Sequence, residues 1–464
     1  MRISIAIKHL LFIKLVVIIC INCQAQNWQW AVKLNSGTNA YDLAVDNSGY
    51  AYIATGNNTN IQKFNPQGKL IWSKSGAPTS YSKGLTFDQN NNLYVAGHGY
   101  NEVWDGQKTN HIRPATGLCL FVMKLDTSGK LIWSTTIPKM SSFAAFRIVA
   151  DTKGATYIHG ALDTYFSFVT KLNPDGTEAW YKKLSGQNYA AGHGDIGLDN
   201  TGNCFVTSDY GTSWYPQSTL IAKFDNAGNQ LWVKTINECT ARGIDVKPNG
   251  DFLLAANGGN YCTGKYNNSG ELIWNSNTVI MHGTDILSDY QNNFYGVGNN
   301  NSSLSFPVIA KWDERGNPVW NINLPCSGNS YADVIKSTRI DSYCYVAGNF
   351  TSSITMDGTV LESASQSVYL GKLNCNFSVS PSDKIISKIY PNPFTQKAIL
   401  DFEYIENEVY TLKIFDIHGQ LVKSIENITN GLVTIQRDNL TSGVYFYSLN
   451  CKSRKVESAK FIIY

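Results

Sequence analysis

Short runs of apolar residues separated by polar turns recur along most of the chain. Apolar and polar positions alternate within many of these runs, which is the period of a half-buried β-strand. Runs such as residues 41–45 are followed by turn sequences such as Asp46-Asn47-Ser48-Gly49. A glycine at the end of such a turn adopts the positive φ that a tight hairpin requires. The pattern predicts many short strands joined by tight turns.

A longer pattern repeats and defines a unit of four strands. In each copy a Lys, an apolar or aromatic residue, and Asp or Asn precede a Gly turn, and a Trp follows nine residues after the Lys. Six copies are complete: they begin at Lys63, Lys124, Lys171, Lys223, Lys265 and Lys311 and end at Trp72, Trp133, Trp180, Trp232, Trp274 and Trp320. A seventh copy, at Lys372, has no Trp, whereas Trp30 near the other end has no preceding first half.

These complementary halves predict a closed ring, because an open solenoid has no need of them. The fold class is therefore predicted to be all-β: residues 26–375 form a seven-bladed β-propeller with about 50 residues per blade, closed by an N-terminal strand. The repeated Trp is a large apolar side chain at the same strand position in every blade. It is predicted to pack between adjacent blades as scaffold.

The propeller segment resembles a known repeat. Lys-Leu-Asp-x-x-Gly-x-x-x-Trp, preceded by Tyr-Val-Ala-Gly strands, is similar to the bacterial SBBP-type β-propeller repeat over nearly all of residues 26–375. A weaker resemblance, to quinoprotein-type propellers, rests on the Gly-x-x-x-Trp element, and no cofactor motif accompanies it. We predict no cofactor. The resemblance implies no particular activity, since propellers host many unrelated functions.

A second domain follows a change of composition. Residues 376–387 are predicted to be a linker, and residues 388–464 a small immunoglobulin-like β-sandwich. Alternating runs predict its strands at residues 397–404, 410–416, 420–425, 432–436, 443–449 and 455–463.

Four ordered elements of this domain closely resemble the type A C-terminal sorting domain of the type IX secretion system of Bacteroidota. They are Tyr390-Pro391-Asn392-Pro393-Phe394, residues 415–422 with Asp416 and Gly419, residues 440–447 with Gly443 and Tyr445, and the closing Lys460-Phe461-Ile462-Ile463. The resemblance implies that the type IX translocon recognises the domain. It also implies that the mature protein is secreted or held on the outer cell surface after passing through the periplasm.

Residues 1–25 are predicted to be a signal peptide. Arg2, Lys8 and Lys14 precede an apolar run over residues 15–21, and Cys23-Gln24-Ala25 places small residues before the cleavage site. A run this short falls well below the roughly 20 apolar residues that span a bilayer.

Charge and cysteine content narrow the partners further. The chain has 38 basic and 35 acidic residues, so no nucleic acid or anionic membrane is predicted as a partner. The cysteines are scattered without a Cys-x-x-Cys pair, which excludes the usual zinc spacing. In an oxidising compartment two bridges are predicted, Cys239 with Cys262 and Cys326 with Cys375, while Cys204 and Cys344 fit buried free thiols.

No sequence motif for catalysis or metal binding stands out. The metalloprotease, serine-hydrolase, phosphate-loop and calcium-loop patterns are all missing from the sequence. Five Asp residues recur at the first hairpin of a unit and are predicted to cap turns: Asp46, Asp88, Asp151, Asp199 and Asp289. The seven repeated Lys residues are predicted to be solvated.

Loop lengths differ on one face of the predicted ring. From the end of the second strand to the repeated Lys the separation is 7 residues after Gly56, but 27 after Gly97, 15 after Ser208 and 24 after Gly348. The turns on the opposite face are uniformly tight. Variation confined to one face is typical of the binding face of a repeat ring. We call it the variable-loop face; it carries the connections from second to third strands and from each unit to the next.

Candidate ligand residues lie on this face. They are His98, Trp104, Asp105 and His111 in the second-blade loop, Trp214 and Tyr215 in the fourth, and His193, Asp195, His282 and Asp285 near the central channel. Loop aromatics suit stacking on sugar rings, which favours a carbohydrate ligand. The alternative is loop residues and hydrogen-bonded histidines with no ligand role. No metal is predicted, since His193 and His282 belong to non-adjacent blades.

The sequence therefore predicts an exported, monomeric, non-enzymatic propeller that binds a ligand or partner. The alternative is an extracellular polysaccharide hydrolase or lyase whose acid and base come from separate blades. Clustered carboxylates with a His or Tyr within hydrogen-bond reach at the channel mouth would favour that alternative.

Overall fold

The structure is a computed structural model of the chain. It describes residues 28–34, 39–56, 58–78, 80–99, 103–109, 119–137, 143–162, 166–184, 194–211, 218–258, 263–276, 282–289, 291–300, 305–337, 342–375, 387–402, 409–451 and 455–464. All regular elements in these ranges are β-strands, which confirms the all-β prediction. Within the same ranges no helix is long and apolar enough to cross a membrane.

The strands before residue 376 form antiparallel four-stranded sheets, which we number 1 to 7 in chain order. β1 (Trp28–Lys33) comes first in the chain but belongs to sheet 7. Sheet 1 consists of β2 (Ala40–Val45), β3 (Ala51–Thr55), β4 (Asn60–Phe64) and β5 (Leu70–Lys74). Sheet 2 consists of β6 (Ser80–Phe87), β7 (Leu93–Gly99), β10 (Cys119–Leu125) and β11 (Leu131–Ile137), with a small hairpin, β8 (Val103–Trp104) and β9 (Gln107–Lys108), inserted. Sheet 3 consists of β12 (Phe143–Ala150), β13 (Thr156–Leu162), β14 (Phe166–Leu172) and β15 (Glu178–Lys183).

The next three sheets continue the same order. Sheet 4 consists of β16 (Ile196–Leu198), β17 (Cys204–Tyr210), β18 (Ser218–Phe224) and β19 (Gln230–Asn237). Sheet 5 consists of β20 (Cys239–Val246), β21 (Phe252–Gly258), β22 (Thr263–Tyr266) and β23 (Leu272–Ser276). Sheet 6 consists of β24 (His282–Ser288), β25 (Phe294–Asn299), β26 (Pro307–Trp312) and β27 (Pro318–Asn323), and it is joined to sheet 5 by one pairing, Asn257 with His282.

Sheet 7 combines both ends of this region. It consists of β28 (Ser330–Ser337), β29 (Tyr343–Met356), β30 (Thr359–Asn374) and β1. β1 runs antiparallel to β30, with Trp30 opposite Lys372 and Lys33 opposite Tyr369. The N-terminal strand thus supplies the Trp that the seventh repeat lacks.

The first strands of the seven sheets pack side by side. β2, β6, β12, β16, β20, β24 and β28 each contact the next, and β28 contacts β2. We call these the inner strands and the space they surround the channel. In six of them a β-bulge interrupts the register near the N-terminal end, at Tyr41, Lys83, Phe146, Arg242, Thr284 and Asp333. A bulge redirects the side chains beside it, and bulges are common next to functional sites.

The repeated Trp side chains lie where consecutive sheets meet. The indole Nε1 donates a hydrogen bond to a carbonyl oxygen in the outer turn of the next sheet: Trp30 to Pro66 at 2.8 Å, Trp133 to Pro174 at 3.1 Å, Trp180 to Asn226 at 3.0 Å, Trp232 to Asn268 at 3.2 Å and Trp274 to Glu314 at 3.2 Å. The turn must come close to the ring; at Gly176 a Cβ would meet Trp133 at 3.0 Å. Trp30 links sheet 7 to sheet 1 in the same way.

The repeated Lys side chains are not solvated, and that prediction is wrong. Lys63, Lys223 and Lys372 are buried, with 8%, 5% and 7% of their surface exposed. Their ammonium groups lie over an aromatic ring of the second strand, at 4.9 Å from the centroid of Tyr52, 4.6 Å from Phe205 and 5.1 Å from Tyr345. The Lys occupies the gap between sheets, where a cation–π contact partly replaces its hydration.

The turn-capping prediction for the repeated Asp residues is confirmed. The Asp46 carboxylate accepts hydrogen bonds from the backbone N–H of Ser48 at 2.9 Å and Tyr50 at 3.0 Å. Asp88, Asp151 and Asp199 accept the same two bonds from their own turns, and Asp289 accepts that from Asn293 at 2.9 Å. These carboxylates are scaffold.

The cysteine pairing differs from the prediction. Cys344 forms a disulfide with Cys375, with their Cα atoms 6.1 Å apart, so neither the predicted bridge of Cys375 with Cys326 nor the free thiol at Cys344 is correct. The pairing of β29 with β30 places Cys375 beside the start of β29, whereas Cys326 pairs with Ile354 farther along the hairpin. Cys204 is a buried free thiol, as predicted. Cys262 lies outside the described residues, so its bridge to Cys239 stays a prediction.

Two antiparallel sheets form the C-terminal domain. One contains β31 (Ser387–Tyr390), β32 (Lys397–Phe402) and β35 (Leu432–Gln436), and the other β33 (Tyr410–Phe415), β34 (Leu421–Ile428), β36 (Gly443–Cys451) and β37 (Lys455–Ile463). Both contribute to one apolar core that includes Leu400, Ile435, Leu412 and Phe461. β31 was missed by sequence reasoning, which ended the linker at residue 387, because its four residues are too few to show a clear alternation.

Candidate functional site

Charged side chains gather near the N-terminal ends of the inner strands. They occupy bulge positions, the position that follows the bulge, or nearby residues of the same strands: Asp42, Lys83, Arg147, Asp195, Arg242, Asp285, Asp333 and Lys336. We call this set the channel cluster. The chain reaches these ends from the preceding sheet, so the cluster lies toward the variable-loop face.

Three Asp residues of the cluster clamp neighbouring sheets together. Asp42, Asp195 and Asp285 are each nearly fully buried. One carboxylate oxygen accepts a hydrogen bond from the next backbone N–H of its own strand, and the other from an inner strand of the following sheet, at Leu85, Ile244 or Ile335 and 2.8 to 3.0 Å. Two N–H donors per carboxylate compensate much of the cost of burying the charge.

Arg147 and Lys336 pair with two of these carboxylates from neighbouring sheets. Nε of Arg147 lies 3.7 Å from Oδ1 of Asp195, and Nζ of Lys336 lies 2.7 Å from Oδ2 of Asp285. Burial alone would lower the pKa of Arg147, but the surrounding carboxylates of Asp42, Asp195 and others raise it overall. The side chains of Arg147 and Lys336 remain 21% and 32% exposed, so this part of the channel is open to solvent.

The remaining cluster members are less completely paired. Burial raises the pKa of Asp333 to about 7, against the opposing effect of Arg147 and Arg242. Oδ2 of Asp333 accepts a hydrogen bond of 2.7 Å from the side chain of Asn349. Burial lowers the pKa of Lys83 to about 8, and its Nζ lies 3.3 Å from the centroid of the Tyr41 ring. Asp333 and Lys83 therefore change their charge close to neutral pH.

Burial lowers the pKa of two histidines near the cluster, His98 and His159. His98 stacks on Tyr81 with ring centroids 5.3 Å apart, and burial together with Lys83 lowers its pKa to about 4. His159 is fully buried, and burial with Arg147 lowers its pKa to about 3.

The structure does not bring together the candidate ligand residues that were predicted from the sequence. Asp195 and Asp285 are clamps between sheets, and half-buried His282 begins β24 beside Asn257. Asp105 is exposed and pairs with Lys74 at 2.7 Å. His111, His193, Trp214 and Tyr215 lie outside the described residues.

Trp104 requires a correction. It is fully buried between sheets 1 and 2, packs with Leu85, Phe121 and Leu125, and its Nε1 donates to the carbonyl oxygen of Gly129 at 3.0 Å. No face of the ring is left to stack on a sugar. The Trp104 side chain holds the β8–β9 hairpin against sheets 1 and 2.

Sequence reasoning missed most of the channel cluster. Arg147, Arg242, Asp333 and Lys336 were not identified from the sequence, because their positions depend on the bulges and on the packing of the inner strands side by side. A charged residue inside an otherwise apolar inner run was the available signal. Among the described residues no group of three or more His, Cys, Asp or Glu side chains could hold a metal ion.

The sorting-domain motifs contact one another in the C-terminal domain. Oδ1 of Asn392 accepts a hydrogen bond from the N–H of Ile462 at 2.9 Å, and the N–H of buried Phe394 donates to the carbonyl of Ile462 at 3.1 Å. Pro391 and Pro393 follow cis peptide bonds. Asp416 caps the turn containing Gly419, Gly443 begins β36, and the Tyr445 hydroxyl donates to the carbonyl of Thr441 at 2.8 Å.

Comparison with protein families gives a direct match to this domain. Residues 388–464 match the model of the secretion system C-terminal sorting domain. This confirms the sorting-domain prediction. The domain implies interaction with the type IX secretion machinery, and export of the chain to the outer membrane, the cell surface or the surroundings. No curated protein sequence matches the chain.

Solved structures resemble the chain in fold. Virginiamycin B lyase from Staphylococcus aureus has 14% identity and a TM-score of 0.50, covering 74% of this chain and 98% of its own. A streptogramin B lyase structure has 13% identity and a TM-score of 0.50, covering 74% and 97%. The Dos1 propeller, at 10% identity and a TM-score of 0.45, covers 77% and 97%. At these identities the likeness concerns the fold alone.

Proposed function

We propose that residues 26–375 form a seven-bladed β-propeller of the SBBP-repeat type, closed by β1, that binds a ligand or partner through its variable-loop face. Pairing of β1 with β30 and contact of β28 with β2 support closure. A signal peptide over residues 1–25 starts export, and the sorting domain completes it. The protein acts as a monomer on the outer cell surface or in the surroundings, and carbohydrate is the ligand class that the loop aromatics favour.

The difference between the two faces carries this proposal. On the turn face the repeated Asp carboxylates are all engaged by their own backbones. On the variable-loop face the loops differ in length from blade to blade, and the channel cluster places different charges in different blades. A surface on which equivalent positions carry unlike residues is suited to recognise an asymmetric ligand.

Delivery is tested by deleting residues 388–464. The propeller has its own apolar clusters, separate from the core of the sorting domain, so the truncated chain is expected to fold but to accumulate in the periplasm. Cell fractionation with a protease-protection assay measures its location. Asp438→Asn in the full chain, an exposed change outside the sorting motifs, is the control. Normal secretion of the truncated chain would contradict the role of the domain.

Ligand binding is tested on a glycan array with a parallel degradation assay. The double variant Trp214→Ala and Tyr215→Ala is expected to lose at least tenfold in affinity for the glycan that the parent protein retains, because each ring stacks on a sugar. Leu231→Ala, on the exposed outer strand of the same sheet, is the control. Turnover of a polysaccharide would show that the protein is a hydrolase or lyase, the alternative function. An unchanged affinity of the double variant would show that Trp214 and Tyr215 do not contribute to glycan binding.

A further inference from the structure

Arg242 differs from the other arginine of the channel cluster. It occupies the bulge position of β20 and lies toward the variable-loop face. Arg147 has a carbonyl partner at Tyr41 and a carboxylate partner at Asp195. Nε of Arg242 is buried and has no hydrogen-bond partner among the residues the structure describes. A buried guanidinium donor without an acceptor is costly, so a native acceptor is expected there.

The charge of Arg242 is incompletely compensated by its own protein. Burial lowers the pKa of Arg242 even though the carboxylates of Asp209 and Asp333 act in the opposite direction. The two carboxylates therefore do not fully offset the lost hydration of Arg242. An additional anion beside the guanidinium would stabilise it.

Lys83 and Arg242 lie nearer the variable-loop face than the clamping carboxylates do. The bulge positions nearest the variable-loop face carry Lys83 and Arg242 with a single acid, Asp333. The following positions carry Asp42 and Asp195, whose oxygens already accept backbone hydrogen bonds. An anionic group that approaches from the variable-loop face meets the two cations before it meets these deeper carboxylates.

A second unpartnered atom lies close to Arg242. Asn257 stands opposite Thr240 on the neighbouring strand, two residues from Arg242, and its Oδ1 is buried without a hydrogen-bond partner in the described ranges. This amide oxygen accepts a hydrogen bond, and a ligand hydroxyl is a suitable donor. The guanidinium fork suits a planar carboxylate, which accepts two parallel N–H bonds.

We propose that Arg242 and Asn257 form a subsite for a carboxylate that also carries hydroxyl groups, the chemistry of a uronic acid, at the variable-loop end of the channel. The inference rests on the proposed ligand-binding function and narrows its ligand class. Arg242 pairs with the carboxylate, and Asn257 accepts a hydrogen bond from a hydroxyl. Lys83 on the opposite side of the channel adds attraction for the anion.

The experiment follows the arginine Nε–H signals of the full-length protein, labelled with ¹⁵N-arginine, during titration with four probes. D-galacturonate and acetate carry a carboxylate; D-galactose and acetamide are their uncharged counterparts. The Arg242 signal is expected to shift saturably with both carboxylates, with galacturonate binding at least tenfold more tightly, and not with the neutral probes. The Arg315 signal, from an exposed turn on the opposite face, is the internal reference and should not saturate.

Variants separate the two contacts. Arg242→Lys is expected to weaken galacturonate binding at least tenfold, because an ammonium cannot donate two parallel bonds, whereas Arg315→Lys leaves it unchanged. Asn257→Ala should weaken galacturonate but not acetate. An Arg242 signal that is unmoved by both carboxylates, or that moves equally with galactose, overturns the inference. If the protein still binds neutral glycans on the array in that case, the proposed ligand-binding function is supported and only the carboxylate subsite is wrong.

Discussion

The turn face and the variable-loop face of the sheets differ in which residues they carry. At the turn end the same residue types recur from sheet to sheet, and each has a partner within the fold: the Asp caps its turn, the Trp bonds the next sheet, and the Lys covers an aromatic ring. At the loop end the equivalent bulge positions differ in size and charge from sheet to sheet: they hold Tyr41, Lys83, Phe146, Arg242, Thr284 and Asp333.

The energetic cost differs in the same way. Repeated polar groups gain hydrogen bonds or ring contacts that compensate their burial. At the loop end burial shifts the pKa of Arg242 and Asp333 toward the neutral form, and Nε of Arg242 has no partner within the described residues. The proposed function therefore assigns the recurring groups to stability and the groups that occur once, which are costly to bury, to binding. This division is expected where function is grafted on a repeated scaffold.

The largest expected effect is loss of a repeated Trp. Trp232→Ala removes ring contacts with Phe205 and Phe252, at centroid distances of 5.9 and 6.4 Å, and the hydrogen bond to Asn268. We expect the free energy of unfolding to fall by about 3 kcal/mol, the lower end of the range for buried aromatic residues, because the ring is half-buried. Chemical denaturation followed by circular dichroism measures the change.

The neighbouring residue provides the control for Trp232→Ala. Leu231 is 52% exposed on the other face of the same strand, so Leu231→Ala should change the free energy of unfolding by less than about 0.5 kcal/mol. Galacturonate affinity should be unchanged in both variants wherever they are folded. A Trp232 variant that keeps full stability would contradict a scaffold role for the repeated Trp.

The repeats also allowed the fold to be predicted from the sequence. The spacing from Lys63 to Trp72 recurs in every complete unit, so the strands, the turn caps and the unmatched halves at Trp30 and Lys372 could be recognised by comparing the chain with itself. The burial of the repeated Lys was missed, since a period shows which positions are equivalent but not which gap between sheets they face. The disulfide of Cys344 was missed because it depends on the register of β29 with β30.

Much less of the candidate site could be predicted from the sequence, because its residues do not recur from unit to unit. Arg242 and Asp333 occur once each at their positions, so no internal comparison marks them. Their proximity arises from strands of sheets 5 and 7, which are distant in sequence and meet only around the channel. Loop aromatics are often exposed, so the sequence suggests Trp104 as a ligand residue. Its burial follows from the short hairpin of β8 and β9, which no local sequence pattern predicts.

Asp333→Asn is expected to increase stability at pH 8, in contrast to the larger loss of stability expected for Trp232→Ala. Burial raises the pKa of Asp333 from 3.8 to about 7, so the folded state binds this proton more tightly than the unfolded state. The cost of ionising Asp333 is therefore absent below about pH 4, grows between pH 4 and 7, and is complete above pH 7. Asparagine carries no such cost and can still accept the bond from Asn349. The melting temperature should rise by about 2 °C at pH 8 and stay unchanged at pH 4.

Asp175→Asn is the matched control for Asp333→Asn, because its pH dependence has the opposite sign. Asp175 is an exposed turn residue whose pKa is lowered by hydrogen bonds from the hydroxyl and N–H of Thr177. Its small contribution is present at pH 8 and lost as the pH falls through the folded pKa, so its replacement can only lower the melting temperature at pH 8. A fall at pH 8 for Asp333→Asn would show that Asp333 stabilises the ring like a repeated residue, and an equal rise at pH 4 would show that the gain does not come from removing the cost of ionisation. The proposed division between the two ends of the channel would then not hold at this position.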